Sequence, residues 1–222
     1  MNKTTAVKND SLIDTRTRIL QAAAEIFADV GFERATVRII CERASVNVAA
    51  INYHFRDKEN LYIEVLKYCK SIAFEQYPLD KETTIKDPPE LRLRAFIHFF
   101  FYCIIDKGPA SLFGRLVARE YIEPSCALDM LVEDTIRPTF GRLSGIVVEL
   151  LGKKPPEMNV RMCCASIVSQ CLFYLFARHA LNRLFPDEHF PGDHLEKVID
   201  HVTCFSLSAI KDFRKCIKGE KK

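Results

Sequence analysis

From Ile19 onward the apolar residues recur three and four positions apart. Ile19, Ala22, Ala23, Ile26, Phe27 and Val30 form one stripe, the spacing of a helix that buries a single face. Alternating β-branched runs closed by Asn-Gly or Asp-Gly turns, the mark of hairpins, are absent from the chain. Such a sequence is constrained to pack helices on helices. The first helix is expected to open at Asp14 or Thr15 as N-cap, leaving residues 1–13 as a flexible arm, and to stop at Gly31. Thr36 then caps a second helix with Val37, Ile40, Cys41 and Ala44 inward. Asn47 caps a third, with Val46, Ile51 and Phe55 inward, and Asp57 opens a fourth along Leu61, Val65, Leu66, Cys69 and Ile72.

The stretch "YPLDKETTIKDPPE" interrupts this pattern with prolines and polar residues and reads as a connection. Beyond it, helices are expected at about 88–107, 109–122, 124–152, 156–185 and 193–217. The reading is an all-α protein of two bundles, residues 14–60 and 61–222, without internal repeats.

Composition narrows the function. The 222 residues are 48% hydrophobic and 27% charged, enough for a sizeable core. The net charge is only +3, so any affinity for nucleic acid must come from local arrangement. The nine cysteines are odd in number, form no C-x-x-C pair and sit mostly in apolar helical patterns. They read as small core hydrophobes. The six histidines lack ligand spacing, so no metal and no cofactor are expected. No G-x-S-x-G, H-E-x-x-H, P-loop or dinucleotide fingerprint appears, and no catalytic residue is assigned. The opening residues lack an apolar leader. The run Ala95–Ile105 is too short to span a bilayer as a helix. A soluble, cytoplasmic chain without a membrane segment is expected.

The third helix, "NVAAINYHF", is too short to stand alone in water. Ile51 and Phe55 would bolt it to the bundle, while Val48, Ala49, Asn52 and Tyr53 share the outer side. Two helices meeting at a tight turn make a helix-turn-helix candidate, in which the second helix enters the DNA major groove. Val48, Ala49 and Ala50 are small enough to touch thymine methyls, and Asn52 can pair with an adenine edge. Tyr53, His54 and Thr36 suit phosphates, Arg38 suits a guanine or a phosphate, and Lys58 suits the DNA backbone. Taken singly, each of these side chains is equally compatible with an ordinary surface role.

The run "TRTRILQAAAEIFADVGFERATVRIICERASVNVAAINYHFRDKENLYIEVL" resembles the N-terminal DNA-binding domain of TetR-family regulators. The resemblance rests on its opening stripe, on "ASVNVAAINYHF" and on Phe55, Lys58, Glu59 and Leu61. It implies that Thr36, Arg38, Val48, Ala49, Ala50, Asn52, Tyr53, His54 and Lys58 face DNA, and Asn47, which caps their helix, is placed with them as a DNA-binding candidate. Two residues depart from the family pattern. Ser45 stands where glycine is usual, a backbone cost of roughly 1 kcal/mol if φ is positive. Asn52 stands where tyrosine is common, so operator preference does not transfer.

The stretch "GPASLFGRLVAREYIEPS", with "IRPTFGRL" after it, is similar to the C-terminal half of CecR-like TetR regulators. That resemblance implies a small-molecule pocket, and a homodimer formed through the last two long helices. His98 and Tyr102, and Arg115 and Arg119, are the candidate pocket residues. The alternative is that Arg115 and Arg119 make internal ion pairs with Glu120 or Asp134. The expected function is a homodimeric repressor of a palindromic duplex operator, released by a small effector. A thiol-responsive regulator and a helical adaptor without DNA binding are the alternatives.

Overall fold

The computed structural model describes residues 4–78, 83–105, 110–186 and 192–217, and every regular element among them is helical. In order these are α1 (Thr4–Arg34), α2 (Val37–Ala44), α3 (Val48–Phe55), α4 (Lys58–Gln76), α5 (Pro89–Ile105), α6 (Ala110–Ile122) and α7 (Leu128–Leu131). A π-helical turn (Val132–Ile136) leads into α8 (Arg137–Leu151), followed by α9 (Glu157–Phe176), α10 (Arg178–Leu184), a 3-10 turn (Gly192–His194) and α11 (Leu195–Ile217).

The first helix starts at Thr4, well before Asp14, so residues 4–13 are helical where an arm was expected. No proline or glycine lies in that stretch to stop it. Gly31 does interrupt the helix, with φ 83° and ψ 170°, and one further turn runs on to Arg34. The single helix expected over 124–152 is three pieces. Pro138 explains the break: it has no N–H for the ladder and its ring crowds the carbonyl four residues back. The widened π turn sits immediately before it. The segment expected as 156–185 divides at Ala177.

Contacts divide the chain into two units that differ from the expected 14–60 and 61–222. The first contains residues 1–76 and 108–131, the second residues 77–107 and 132–222. In the first unit, α4 buries Leu61, Tyr62, Val65, Leu66, Cys69 and Ala73, and α6 packs on both α1 and α4. Phe27 and Tyr62 meet edge-on at 4.7 Å, with the ring of Phe32 5.1 Å from Tyr62. An amphipathic α4 that fills this core belongs with the helices it covers, whatever the sequence order.

The second unit has its own core, with Leu93, Ile97 and Phe101 of α5, Leu143 and Val147 of α8, Cys164 and Cys171 of α9, and Ile199 and Val202 of α11. Arg94 of α5 donates to Glu196 and Asp200 of α11 at 2.9 and 2.8 Å. α9 is by length and composition apolar enough to cross a membrane. It leaves Met158, Met162, Phe173 and Phe176 exposed.

Candidate nucleic-acid interface

The short α3 is held by its own ends and by two buried side chains. Asn47 is extended, and its side-chain oxygen accepts the Ala50 N–H at 2.9 Å, satisfying one orphan donor of the first turn. Ile51 is fully buried and Phe55 nearly so. Arg16 of α1 lies over the Phe55 ring, 5.3 Å from its centroid, while donating to Glu64 of α4 at 2.6 Å. That brace was invisible to local spacing, because Arg16, Phe55 and Glu64 are far apart in sequence.

The turn before α3 follows from α2. Thr36 caps α2 by accepting the Ile39 N–H at 3.3 Å. At the other end Ser45 takes φ 52° and ψ 49°. Its N–H donates to Glu42 O, and the Val46 N–H donates to Cys41 O at 3.0 Å. This paired closure by a left-handed residue is the glycine-type helix stop, here carried by serine at a positive φ. After α3, Arg56 has φ 73° and ψ −55°, and the Asp57 N–H donates to Phe55 O at 2.9 Å. That is a γ-turn of the rare, strained hand. The Asp57 carboxylate then accepts the Asn60 N–H at 2.8 Å and opens α4.

This frame places the expected residues as follows. Val48, Ala49, Asn52 and Tyr53 are exposed on α3 and Tyr53 is 74% accessible, while Ala50 and His54 are half-buried. The His54 ring lies 5.0 Å from that of Tyr53, edge-on. Arg38 is exposed on α2 and donates to Glu42 at 3.0 Å. Thr36 and Asn47 are exposed but use their side-chain oxygens as caps. Lys58, expected at the DNA backbone, is half-buried. Its ammonium donates to Phe32 O at 3.0 Å and Ala35 O at 3.3 Å, and sits 4.3 Å from the Phe32 ring centroid. Cations collect at helix C-terminal carbonyls, and Phe32 lies in the last turn of α1 with Ala35 just past its end.

The four candidate pocket residues serve their own units. Arg119 of α6 donates to the carbonyls of Ala28, at 2.9 Å, and of Asp29, and Arg115 pairs with the Asp29 side chain. The internal ion pair foreseen as an alternative is therefore present for Arg115, with Asp29 rather than Glu120 or Asp134. Glu120 is buried and accepts from Tyr62 OH at 2.7 Å and from the Ser125 hydroxyl at 2.8 Å. Within the second unit, Tyr102 OH donates to Glu196 at 3.2 Å, and His98 Nε2 lies 3.5 Å from the same oxygen.

Comparison with known proteins places this arrangement. Residues 19–65 match the family described as bacterial regulatory proteins, tetR family. Residues 89–210 match the C-terminal domain of the HTH-type transcriptional dual regulator CecR. The chain belongs to the TetR family of transcriptional regulators, with a C-terminal part of the CecR type. It is 22% identical to the transcriptional dual regulator CecR of Shigella flexneri, over 84% of this chain and 87% of that one. It is 26% identical to the transcriptional repressor NicS of Pseudomonas putida, over 80% of this chain and 84% of that one. Its fold is similar to that of AibR in complex with isovaleryl coenzyme A and operator DNA, with a TM-score of 0.59 and 16% identity over 72% of this chain and 85% of that chain.

Proposed function

We propose that this TetR-family regulator is a homodimeric repressor that reads a palindromic operator with α3 and leaves it when a small effector binds the second unit. The observation that carries the reading is the surface of α3. Val48, Ala49, Asn52 and Tyr53 stand exposed on a helix whose other side, Ile51 and Phe55, is locked into the core. That is how a helix inserted into a major groove is presented. Asn52 is assigned to a base edge, Val48 and Ala49 to methyl contacts, and Tyr53, Arg38 and Thr36 to phosphates. Ala50 and His54 sit at the margin of this surface. Asn47 orders the first turn, and Lys58 holds the head together from behind.

Two-fold DNA needs two reading helices about 34 Å apart, and the face assigned to a second copy is that of α9 and α11. Met162 and Phe205 are exposed there beside a groove of about 440 Å³ that Ile167, Ile210 and Phe213 also line. A second copy covering this groove accounts for the apolar outer side of α9 without a membrane. An effector would then bias two arrangements of the dimer, by no more than its difference in affinity for them. AibR, similar in fold, forms a complex with isovaleryl coenzyme A and operator DNA, which supports a ligand site besides the DNA site in this chain and leaves release to be tested.

The test is selection of bound duplexes from genomic fragments by the purified protein, followed by titration of the enriched sequence. A palindromic consensus is expected, and Asn52→Ala should weaken the enriched site by about 1–3 kcal/mol. Recovery of random fragments only, with no enrichment over competitor DNA, would sink the reading. A thiol switch has less support. Burial pushes the Cys41, Cys69, Cys164 and Cys171 thiols up, and Cys126 is also raised, by desolvation and then by Glu59. Reactive thiols need the opposite shift.

A further inference from the structure

The turn that closes α3 is bent against its residue type. Arg56 takes φ 73° and ψ −55°, outside the left-handed well that Ser45 occupies at φ 52° and ψ 49°. The rare hand of this γ-turn strains any residue with a Cβ, whereas glycine reaches such angles readily. Both flanks hold the angle in place. The Arg56 N–H donates to Asn52 O at 3.1 Å, Phe55 is buried under Arg16, and Asp57 is fixed as the cap of α4 by the Asn60 N–H. An arginine at this place makes the fold less stable than a glycine would.

Nothing inside the fold accounts for that arginine. Arg56 is exposed, and its guanidinium has no partner among the described residues. Nearby cations are engaged: Arg16 with Glu64 at 2.6 Å, Arg38 with Glu42 at 3.0 Å and Arg43 with Glu25 at 2.5 Å. Lys58 holds the carbonyls of Phe32 and Ala35. Arg34 is likewise unpaired among the described residues, but it stands on ordinary helical backbone at the end of α1. Arg56 alone of these combines a free guanidinium with a strained main chain. Its position also continues the outward side of α3. Ala49, Asn52, Tyr53 and residue 56 fall three and four apart, and the bond to Asn52 O carries the helical path to this point. A helix-turn-helix leads into the groove with the N-terminal residues of its second helix, which leaves the C-terminal end toward the sugar-phosphate rim.

We propose that Arg56 contacts a backbone phosphate of the duplex, on the strand bordering the groove that α3 enters. The strained turn presents the guanidinium at the edge of the α3 surface, and the phosphate supplies the acceptor that the fold does not. Arginine suits this role because its planar donors match phosphate oxygens two at a time. Such a contact sets affinity and register without reading sequence. This role rests on the assignment of α3 to DNA made above, and it adds a residue outside the helix to that surface.

The experiment follows the full-length protein by fluorescence anisotropy across a salt series, on its enriched duplex and on a scrambled one. Arg56→Gly is expected to bind both about tenfold more weakly. Its slope of log affinity against log salt should be smaller by about 0.9 for each half-site bound. Arg56→Lys should recover most of that slope, because an ammonium still displaces a counterion. The urea midpoint of Arg56→Gly, measured alongside, should be no lower than that of wild type, which guards against a folding defect. Unchanged affinity and slope in Arg56→Gly would overturn the proposal. A loss confined to the enriched duplex would overturn it too, by making Arg56 a base reader. A lowered urea midpoint would do the same, by giving the side chain its role inside the fold. Wild-type protein that binds no duplex removes the DNA assignment of α3 along with this one. Wild-type binding that Arg56→Gly matches removes this one alone.

Discussion

Ser45 and Arg56 bracket α3, and both hold φ in the left-handed half of the backbone map, at 52° and 73°. A side chain at such an angle costs of order 1–3 kcal/mol, and glycine removes most of that while adding chain entropy to the unfolded state. Arg56→Gly should therefore raise the urea midpoint by an amount equal to about 1 kcal/mol, read by circular dichroism. An unchanged or lower midpoint would show that the γ-turn is relaxed or that the Arg56 side chain stabilises the fold. Ser45 was legible as a departure because glycine is usual at that place in the family. Arg56 was not, since nothing in "NYHFRDK" marks its φ. The partners of Lys58 were illegible for a related reason: its place in a first turn is local, whereas the carbonyls it takes, Phe32 and Ala35, lie at and just past the end of α1.

Between elements, the tie of α4 to α6 is a tyrosine on a buried carboxylate. Tyr62 is pushed far above the ordinary tyrosine range by burial first and by the Glu120 hydrogen bond second. Burial alone pushes Cys69, on the same helix, up to about 12. The unfolded chain sheds these protons first, at roughly pH 8.5 for a thiol and 10 for a tyrosine. The folded state keeps them, so its stability is full below those values and falls as pH rises through them. Urea midpoints should thus decline from about pH 8.5 upward, and Tyr62→Phe should flatten the part above about pH 10. A flat profile to pH 11 would contradict the burial described. The elements themselves were largely legible. α2 and α3 begin where Thr36 and Asn47 said they would, because caps act over three residues. The π turn before α8 was not foreseen although Pro138 was in plain sight, since several geometries can absorb one missing N–H. The grouping of α4 and α6 with α1 depends on long-range packing, on which periodicity is silent.

For the molecule as a whole, the proposed dimerisation through α9 and α11 is open to a direct test. Phe205 is 58% exposed beside the groove. Phe205→Glu should leave the helix content intact and shift the protein from dimer to monomer in light scattering, with loss of affinity for a two-half-site duplex. A wild-type monomer at working concentration would remove this part of the proposal. The outward face of α3 was legible because it is compressed into one short segment, whereas the brace of Arg16 on Phe55 and Glu64 escaped notice because its members are remote in sequence. The clasp on the end of α1 has a practical consequence. Lys58 and Arg119 grip backbone carbonyls at short range in partly buried surroundings, where mobile ions screen poorly. Phosphate contacts, by contrast, are traded away for counterions as ionic strength climbs. Concentrated salt should therefore detach this protein from its duplex with the head still folded, so that an intact head can be recovered simply by dilution.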